Sequence, residues 1–240
     1  MKILEIKQLS YKYNDKKILE NINIHVNKGE IVSIIGASGV GKTTLFNIIA
    51  GIEKIQKGTI LVNGNENFLG KVSYMLQKDL LLDHKTIIKN VMLPLIIKGV
   101  KKKEAKKQAE DMLKEFSLLE YKDKYPKELS GGMRQRIALL RTYMFKEKLF
   151  LLDEAFSALD ALTKRDVHKW YKNIHQKLDL TTLLITHDIN EAIDLSNRIY
   201  ILKNKPGEIT NEIRLTYNKQ ENIEYQKTEY KNEILNYLEI

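Results

Sequence analysis

The 240 residues contain no cysteine, which excludes disulfide scaffolds, thiolate zinc sites and cysteine nucleophiles while leaving the compartment open. No apolar run approaches the roughly 20 residues that a membrane-spanning helix needs. The longest candidate, residues 91–97, contains Pro94 and is flanked by lysines. The N-terminal MKILEIKQLS lacks the apolar segment of a signal peptide. These absences predict a cytosolic protein whose membrane role, if it has one, comes through a partner. There is no cluster of arginine and aromatic residues of the kind that reads DNA bases, and nucleic acid is not an expected partner. Internal repeats and low-complexity segments are absent as well. What the chain does have is charge, 40 Lys and Arg against 31 Asp and Glu for a net +9. The densest run, KKKEAKK at 101–107, reads as a solvated helix face. Length and a 43% hydrophobic content suit one large α/β domain, or a core with a subdomain.

Hydrophobic patterning supplies the order of elements. Short apolar strands are expected at 3–9, 22–26 and 31–35, punctuated by Asn14-Asp15 and Lys28-Gly29. A glycine-rich loop and a helix over 43–50 follow, then strands at 59–62 and 72–75. From about 78 to 144 the character is helical, with Ala105, Ala109, Met112, Leu113 and Phe116 at helical spacing. Strands return at 149–152, 182–186 and 199–202, separated by helices at about 161–178 and 188–195. A strand at 208–214 and an amphipathic helix at 221–238, using Ile223, Tyr230, Ile234 and Leu238, complete the pattern. Alternating strands and helices predict a mainly parallel sheet covered on both faces, with the helical stretch inserted into it.

Two motifs carry chemistry. Gly36-Ala37-Ser38-Gly39-Val40-Gly41-Lys42-Thr43 is a phosphate loop between a buried strand and a helix. Its glycines let backbone N–H groups approach phosphate oxygens, and the following helix turns its positive end to the same anion. Residues 36–43 and Thr44 are therefore candidate nucleotide-binding residues. Lys42 is placed to reach the β- and γ-phosphates, and the Thr43 hydroxyl to ligate Mg²⁺. The second motif is an apolar strand, LFLL, that ends in Asp153-Glu154. Asp153 would hold Mg²⁺ and Glu154 would polarise an attacking water. A phosphate loop alone leaves kinases, GTPases, helicases and transport ATPases open.

Residues 129–136, LSGGMRQR, resemble the signature motif of ATP-binding cassette (ABC) proteins. Ser130, Gly131 and Gly132 open a helix there, a second N-terminus suited to phosphate. The resemblance extends in order over nearly the whole chain. It implies a phosphate-loop NTPase core with a mainly parallel sheet, an antiparallel β subdomain and an inserted helical subdomain. By this reading the ATPase domain is 1–215, with core segments 1–80 and 145–215 and a helical subdomain at about 81–144; 216–240 is a helical tail. The family pattern places Tyr13 against adenine, with Tyr11 the near alternative. It makes Gln77 a Mg²⁺ contact and sensor, Asp160 part of a loop (157–160, SALD) that crosses a dimer interface, and His187 the switch residue near the γ-phosphate. It further implies that Ser130 and its glycines cover the nucleotide held by a second subunit, so that a homodimer buries two ATP molecules. His25, His84, His168 and His175 match no motif and read as structural or surface residues.

Two classes of cassette fit these motifs. In a transporter, the helical insertion and the segment around Gln77 dock integral membrane permease subunits at the cytoplasmic face. In a soluble cassette the same engine acts on nucleic acid or ribosomes, usually with tandem cassettes, long arms or zinc insertions, none of which this sequence shows. Residues 156–163, 186–192 and 195–207 are similar to importer ATPases of the nitrate/sulfonate/taurine type, a group that also resembles importers of thiamine-pyrimidine precursors. An extracytoplasmic solute-binding protein is then an indirect partner, and the cargo is chosen away from this subunit. Ala155 departs from the usual proline, which alters local rigidity, and Asp83-His84 departs from Pro-Trp in the partner-facing segment. The C-terminal segment is shorter than the regulatory domain of some importer ATPases, so substrate inhibition through such a domain is not expected.

Overall fold

The computed structural model describes residues 1–218 and 220–238; Lys219, Glu239 and Ile240 of the expected tail lie outside the described residues. Two twelve-residue strands, β1 (Lys2–Tyr13) and β2 (Lys16–Asn27), pair antiparallel across the Asn14-Asp15 turn. Later in the chain β4 (Lys57–Val62) joins the other edge of β1, giving a three-stranded antiparallel sheet. Both long strands run beyond the expected lengths because they bend rather than stop. The register shifts between Ile6 and Leu9, where Gln8 takes a positive φ of 50°.

The second sheet has six strands, in the order β5 (Val72–Met75), β6 (Leu149–Asp153), β7 (Thr181–Thr186), β3 (Ile31–Ile35), β8 (Arg198–Lys203) and β9 (Glu208–Arg214). The first five are mutually parallel and β9 closes the edge antiparallel. Every residue of β3, β6 and β7 is buried, as continuous apolar runs in a two-faced parallel sheet should be. Because these strands run the same way, the segments after β3, β5, β6 and β7 emerge along one edge. Ligand crevices of open parallel sheets form at that edge.

Helix α1 (Lys42–Ile49) packs Leu45, Phe46, Ile48 and Ile49 into a core shared with β1, β2 and one face of the larger sheet. On the other face lie α2 (Ile87–Ile97), α3 (Lys102–Glu115), α4 (Gly131–Tyr143) and α5 (Ala161–Lys177). Their apolar stripes, including Val91, Leu95, Ala109, Leu113, Ile137 and Leu140, join Met75, Phe150 and Leu152 of the sheet in one continuous core. Pro94 does not break α2. Its missing N–H leaves the Asn90 carbonyl without the usual intrahelical donor. The Asn90 side chain is fully buried and binds the backbone of Leu82, Lys85 and Thr86, fastening the preceding turn.

Helix α6 (Ile189–Leu195) is capped by Asp188, and α7 (Ile223–Leu238) lies against α6 and β8. The buried face of α7 differs from the expected one. Ile234 is buried and Tyr230 and Leu238 pack beside it, but Ile223 is exposed. Gln226 is buried instead, its amide bonded to both the N–H and the carbonyl of Asn218. Among the described residues, no helix is long and apolar enough to cross a membrane.

Candidate nucleotide-binding and catalytic site

The loop from β3 to α1 is held from below by close backbone packing. A Cβ at Gly36 would lie 2.2 Å from the Leu202 carbonyl oxygen, so no larger residue fits there without moving β8. Ala37, Ser38 and Gly39 are exposed, whereas the Val40 side chain is buried in the core and offers the site only its backbone. Thr43 is exposed and Thr44 half-buried. Lys42 is buried, and its ammonium donates to the carbonyls of Gly36 and Ala37 at 2.7 and 2.9 Å. Burial lowers its pKa, against the opposing pull of the Glu154 and Asp153 carboxylates. The Lys42 ammonium is thus held against the backbone of its own loop.

Asp153 ends β6 in a buried position. Burial raises its pKa; a hydrogen bond from Tyr74 opposes this, the Glu154 charge adds to it and Thr43 opposes it again. The Tyr74 hydroxyl lies 3.3 Å from Asp153 Oδ2. Glu154 follows with φ of 45°, a left-handed conformation that costs a non-glycine residue about 1–3 kcal/mol. Its backbone N–H donates to the Ile185 carbonyl at 2.9 Å, which fixes the turn against β7. The carboxylate then points at two residues named from sequence. Gln77 Nε2 donates to Glu154 Oε2 at 3.2 Å, and His187 Nδ1 lies 3.2 Å from the same oxygen. Three adjacent strands, β5, β6 and β7, deliver the three side chains.

The signature segment is built around α4. Ser130 is its N-cap, its Oγ accepting the Met133 N–H at 3.4 Å. Gly131 is exposed. Gly132 is buried against α5, and a Cβ there would meet Thr163 Cγ2 at 2.5 Å. Gln135 donates to the Ala155 carbonyl, tying the helix to the residue that follows Glu154. Arg134 grips the Asp79 carboxylate with two bonds, 2.9 and 3.2 Å, and Arg141 donates to the backbone carbonyls of Asp79 and Leu80. Among the described residues no hydrogen bond joins Ser130–Arg136 to the loop 36–44 of the same chain.

A family model described as ABC transporter matches residues 19–157. The chain belongs to the ABC transporter ATPase family. It is 40% identical over 239 residues to the formylaminopyrimidine import ATP-binding protein ThiZ of Halalkalibacterium halodurans, covering 97% of this chain and 94% of that protein. It is 38% identical to the nitrate import ATP-binding protein NrtD of Synechocystis, over 88% of this chain and 82% of the relative. Among solved structures, the dimeric post-hydrolysis state of the cassette MJ0796 bound to ADP and Pi superposes with a TM-score of 0.74 at 31% identity. That match covers 90% of this chain and all of the other.

The other residues expected from sequence make contacts of their own in this ABC ATPase. Tyr11 and Tyr13 both reach Glu53, at 2.7 and 3.0 Å, and their rings meet edge to face at 5.0 Å. Tyr11 is buried and Tyr13 is 42% exposed, so of the two only Tyr13 has ring surface left for a base to stack on. Asp160 is exposed and caps α5 by accepting the Thr163 N–H at 3.1 Å, bonds that lower its pKa. Of the unassigned histidines, His25 bonds to the buried Arg198, while His168 and His175 are buried and His84 is exposed. Sequence reasoning missed Tyr74, Asp79 and Arg134. Their partners lie 79 and 55 positions away, beyond any local motif.

Proposed function

We propose that this ATPase is the motor subunit of a small-molecule importer, hydrolysing ATP at sites shared between two copies of the chain. The observation that carries the reading is the Glu154 carboxylate, held by Gln77 and His187 beside the phosphate loop. Glu154 accepts the proton of the attacking water, and His187 and Gln77 orient its carboxylate. Lys42, the loop N–H groups and Ser130 of a second copy neutralise charge on the transferred phosphoryl group. Residues 36–44, Tyr13, Ser130, Gly131, Gly132 and Asp160 form the nucleotide surface in this reading. Loss of the γ-phosphate removes the bridge between subunits, and the dimer opens.

Magnesium fits the donors present. Asp153 is a buried carboxylate whose charge burial disfavours, and the exposed Thr43 hydroxyl and Gln77 amide add hard oxygen donors. These three residues would hold the ion, which when bound offsets phosphate charge.

The importer reading is supported by the names of the relatives, formylaminopyrimidine import and nitrate import. Cargo of that kind, a small solute of the nitrate/sulfonate/taurine or thiamine-precursor type, is selected by the permease and its extracytoplasmic binding protein. Leu76 and Leu80 are exposed on either side of Gln77 and offer apolar contact to a permease subunit at the cytoplasmic face. Mild detergent extraction of native membranes, followed by purification of the tagged chain, tests this. Recovery of a polytopic membrane subunit is expected; ribosomes or nucleic acid in its place would favour a soluble cassette.

A further inference from the structure

We propose that Lys164 is a positioning residue for His187, bracing the turn that carries the histidine against the helix that begins at Asp160. The inference rests on the ATPase reading above and names a residue outside every motif. Lys164 sits one turn into α5, its backbone N–H donating to the carbonyl of the capping Asp160 at 2.8 Å. Its ammonium reaches across to α6 and donates to Asp188 Oδ2 at 3.0 Å. Asp188 is the residue after His187. Its other oxygen accepts the N–H groups of Asn190 and Glu191 at 3.0 and 3.2 Å, and its own N–H donates to Thr186 Oγ1 at 3.0 Å. The carboxylate therefore caps α6 and takes the lysine charge while the backbone N–H of the same residue ties to the end of β7, which leaves the backbone at His187 little freedom.

A second group reinforces the brace. Glu191 is buried, and among the described residues neither of its oxygens has a hydrogen-bond partner. Lys164 Nζ lies 4.0 Å from its carboxylate and His168 Nε2 3.4 Å, both from α5. The Lys164 side chain is only 20% exposed, so water screens these pairs less than surface ones. Removing the ammonium would leave a buried carboxylate poorly compensated, at the foot of the helix that His187 precedes. Asp160 lies in the turn expected to cross the dimer interface. Lys164 thus gives partner contact at that turn a direct path to the histidine on Glu154.

The test compares Lys164→Met, Lys164→Arg and Asp188→Asn with the wild type in steady-state ATP hydrolysis. Lys164→Met should lower kcat about tenfold, a size expected of small misplacement, with KM for ATP within about twofold. Lys164→Arg, which keeps the charge, should recover most of the loss. Asp188→Asn keeps the cap but drops the ion pair, and should show the same split should Lys164→Met fold poorly. In a His187→Ala background, Lys164→Met should cause no further fall, since the brace acts through the histidine. Wild-type kcat in Lys164→Met, or penalties that multiply in the double variant, would overturn the proposal. Amide exchange at Asn190 and Glu191 reads the brace without turnover. It should quicken in Lys164→Met and return in Lys164→Arg; unchanged exchange would refute the brace even in an active enzyme. A wild type that hydrolyses no ATP would instead refute the functional reading.

Discussion

His187 Nδ1 and Glu154 Oε2 lie 3.2 Å apart although they stand 33 positions apart in the chain. The contact arises because β6 and β7 are parallel neighbours whose carboxyl ends emerge side by side. The Glu154 backbone supplies the final turn, its left-handed φ directing the carboxylate across β7 toward the histidine and back across β5 toward Gln77. A carboxylate held by two side chains is oriented before any water arrives, and preorganisation of this kind lowers the cost of reaching the transition state.

Glu154→Gln keeps the size of the side chain and removes its basicity. Single-turnover hydrolysis should fall by about 100-fold or more, the scale of general-base contributions, while ATP affinity changes by less than about threefold. A wild-type rate would remove Glu154 from the mechanism.

Lys42→Ala should weaken ATP binding by at least about tenfold, because a buried cation at the loop mouth is lost. Titration with a fluorescent ATP analogue measures it. The same variant frees the carbonyls of Gly36 and Ala37, so the loop should also become more open to proteolysis without ATP.

Gly132→Ala places a methyl 2.5 Å from Thr163 Cγ2, where α4 crosses α5. Overpacking of this size should cost about 1–3 kcal/mol. Thr163→Ser deletes the opposing methyl, and the double variant should recover more than half of the loss in urea unfolding. Failure of that rescue would mean that the clash lies elsewhere.

His175 is buried, its Nε2 has no hydrogen-bond partner among the described residues, and burial pushes its pKa down to about 4. The unfolded chain, titrating near 6.5, therefore binds more protons than the folded one between these values. Stability from this group is full above about pH 6.5 and is lost as the pH falls toward 4, by a few kcal/mol in all. Urea unfolding across pH 4–7 should show the slope, and His175→Phe should flatten it. An equal slope in both proteins would assign the acid sensitivity to other groups.

The central strands were readable in the sequence almost to the residue, because fully buried parallel strands are continuous apolar runs bounded by turns. The long β1 and β2 were not, since polar residues at their bends resemble strand ends. Helix α2 is apolar nearly throughout and carries Pro94, so no periodicity marks it. The glycine-rich loop at 36–43 and the Asp153-Glu154 pair were visible because each is a run of contiguous residues. The Arg134–Asp79 clamp and the Lys164–Asp188 brace join distant segments, and only the packing of α4 and α5 brings them together. Gln226 took a place expected of an apolar residue because its amide satisfies the backbone of Asn218.

The account stands most directly on the shared ATP site, and light scattering of Glu154→Gln measures it. The chain is 28.0 kDa. With saturating ATP and magnesium its mass should double, with two nucleotides retained per pair, and adding Ser130→Arg should return it to a single chain. A single-chain mass at saturating ATP, or a doubling that Ser130→Arg leaves intact, would contradict a site built from one subunit's phosphate loop and the other's signature helix.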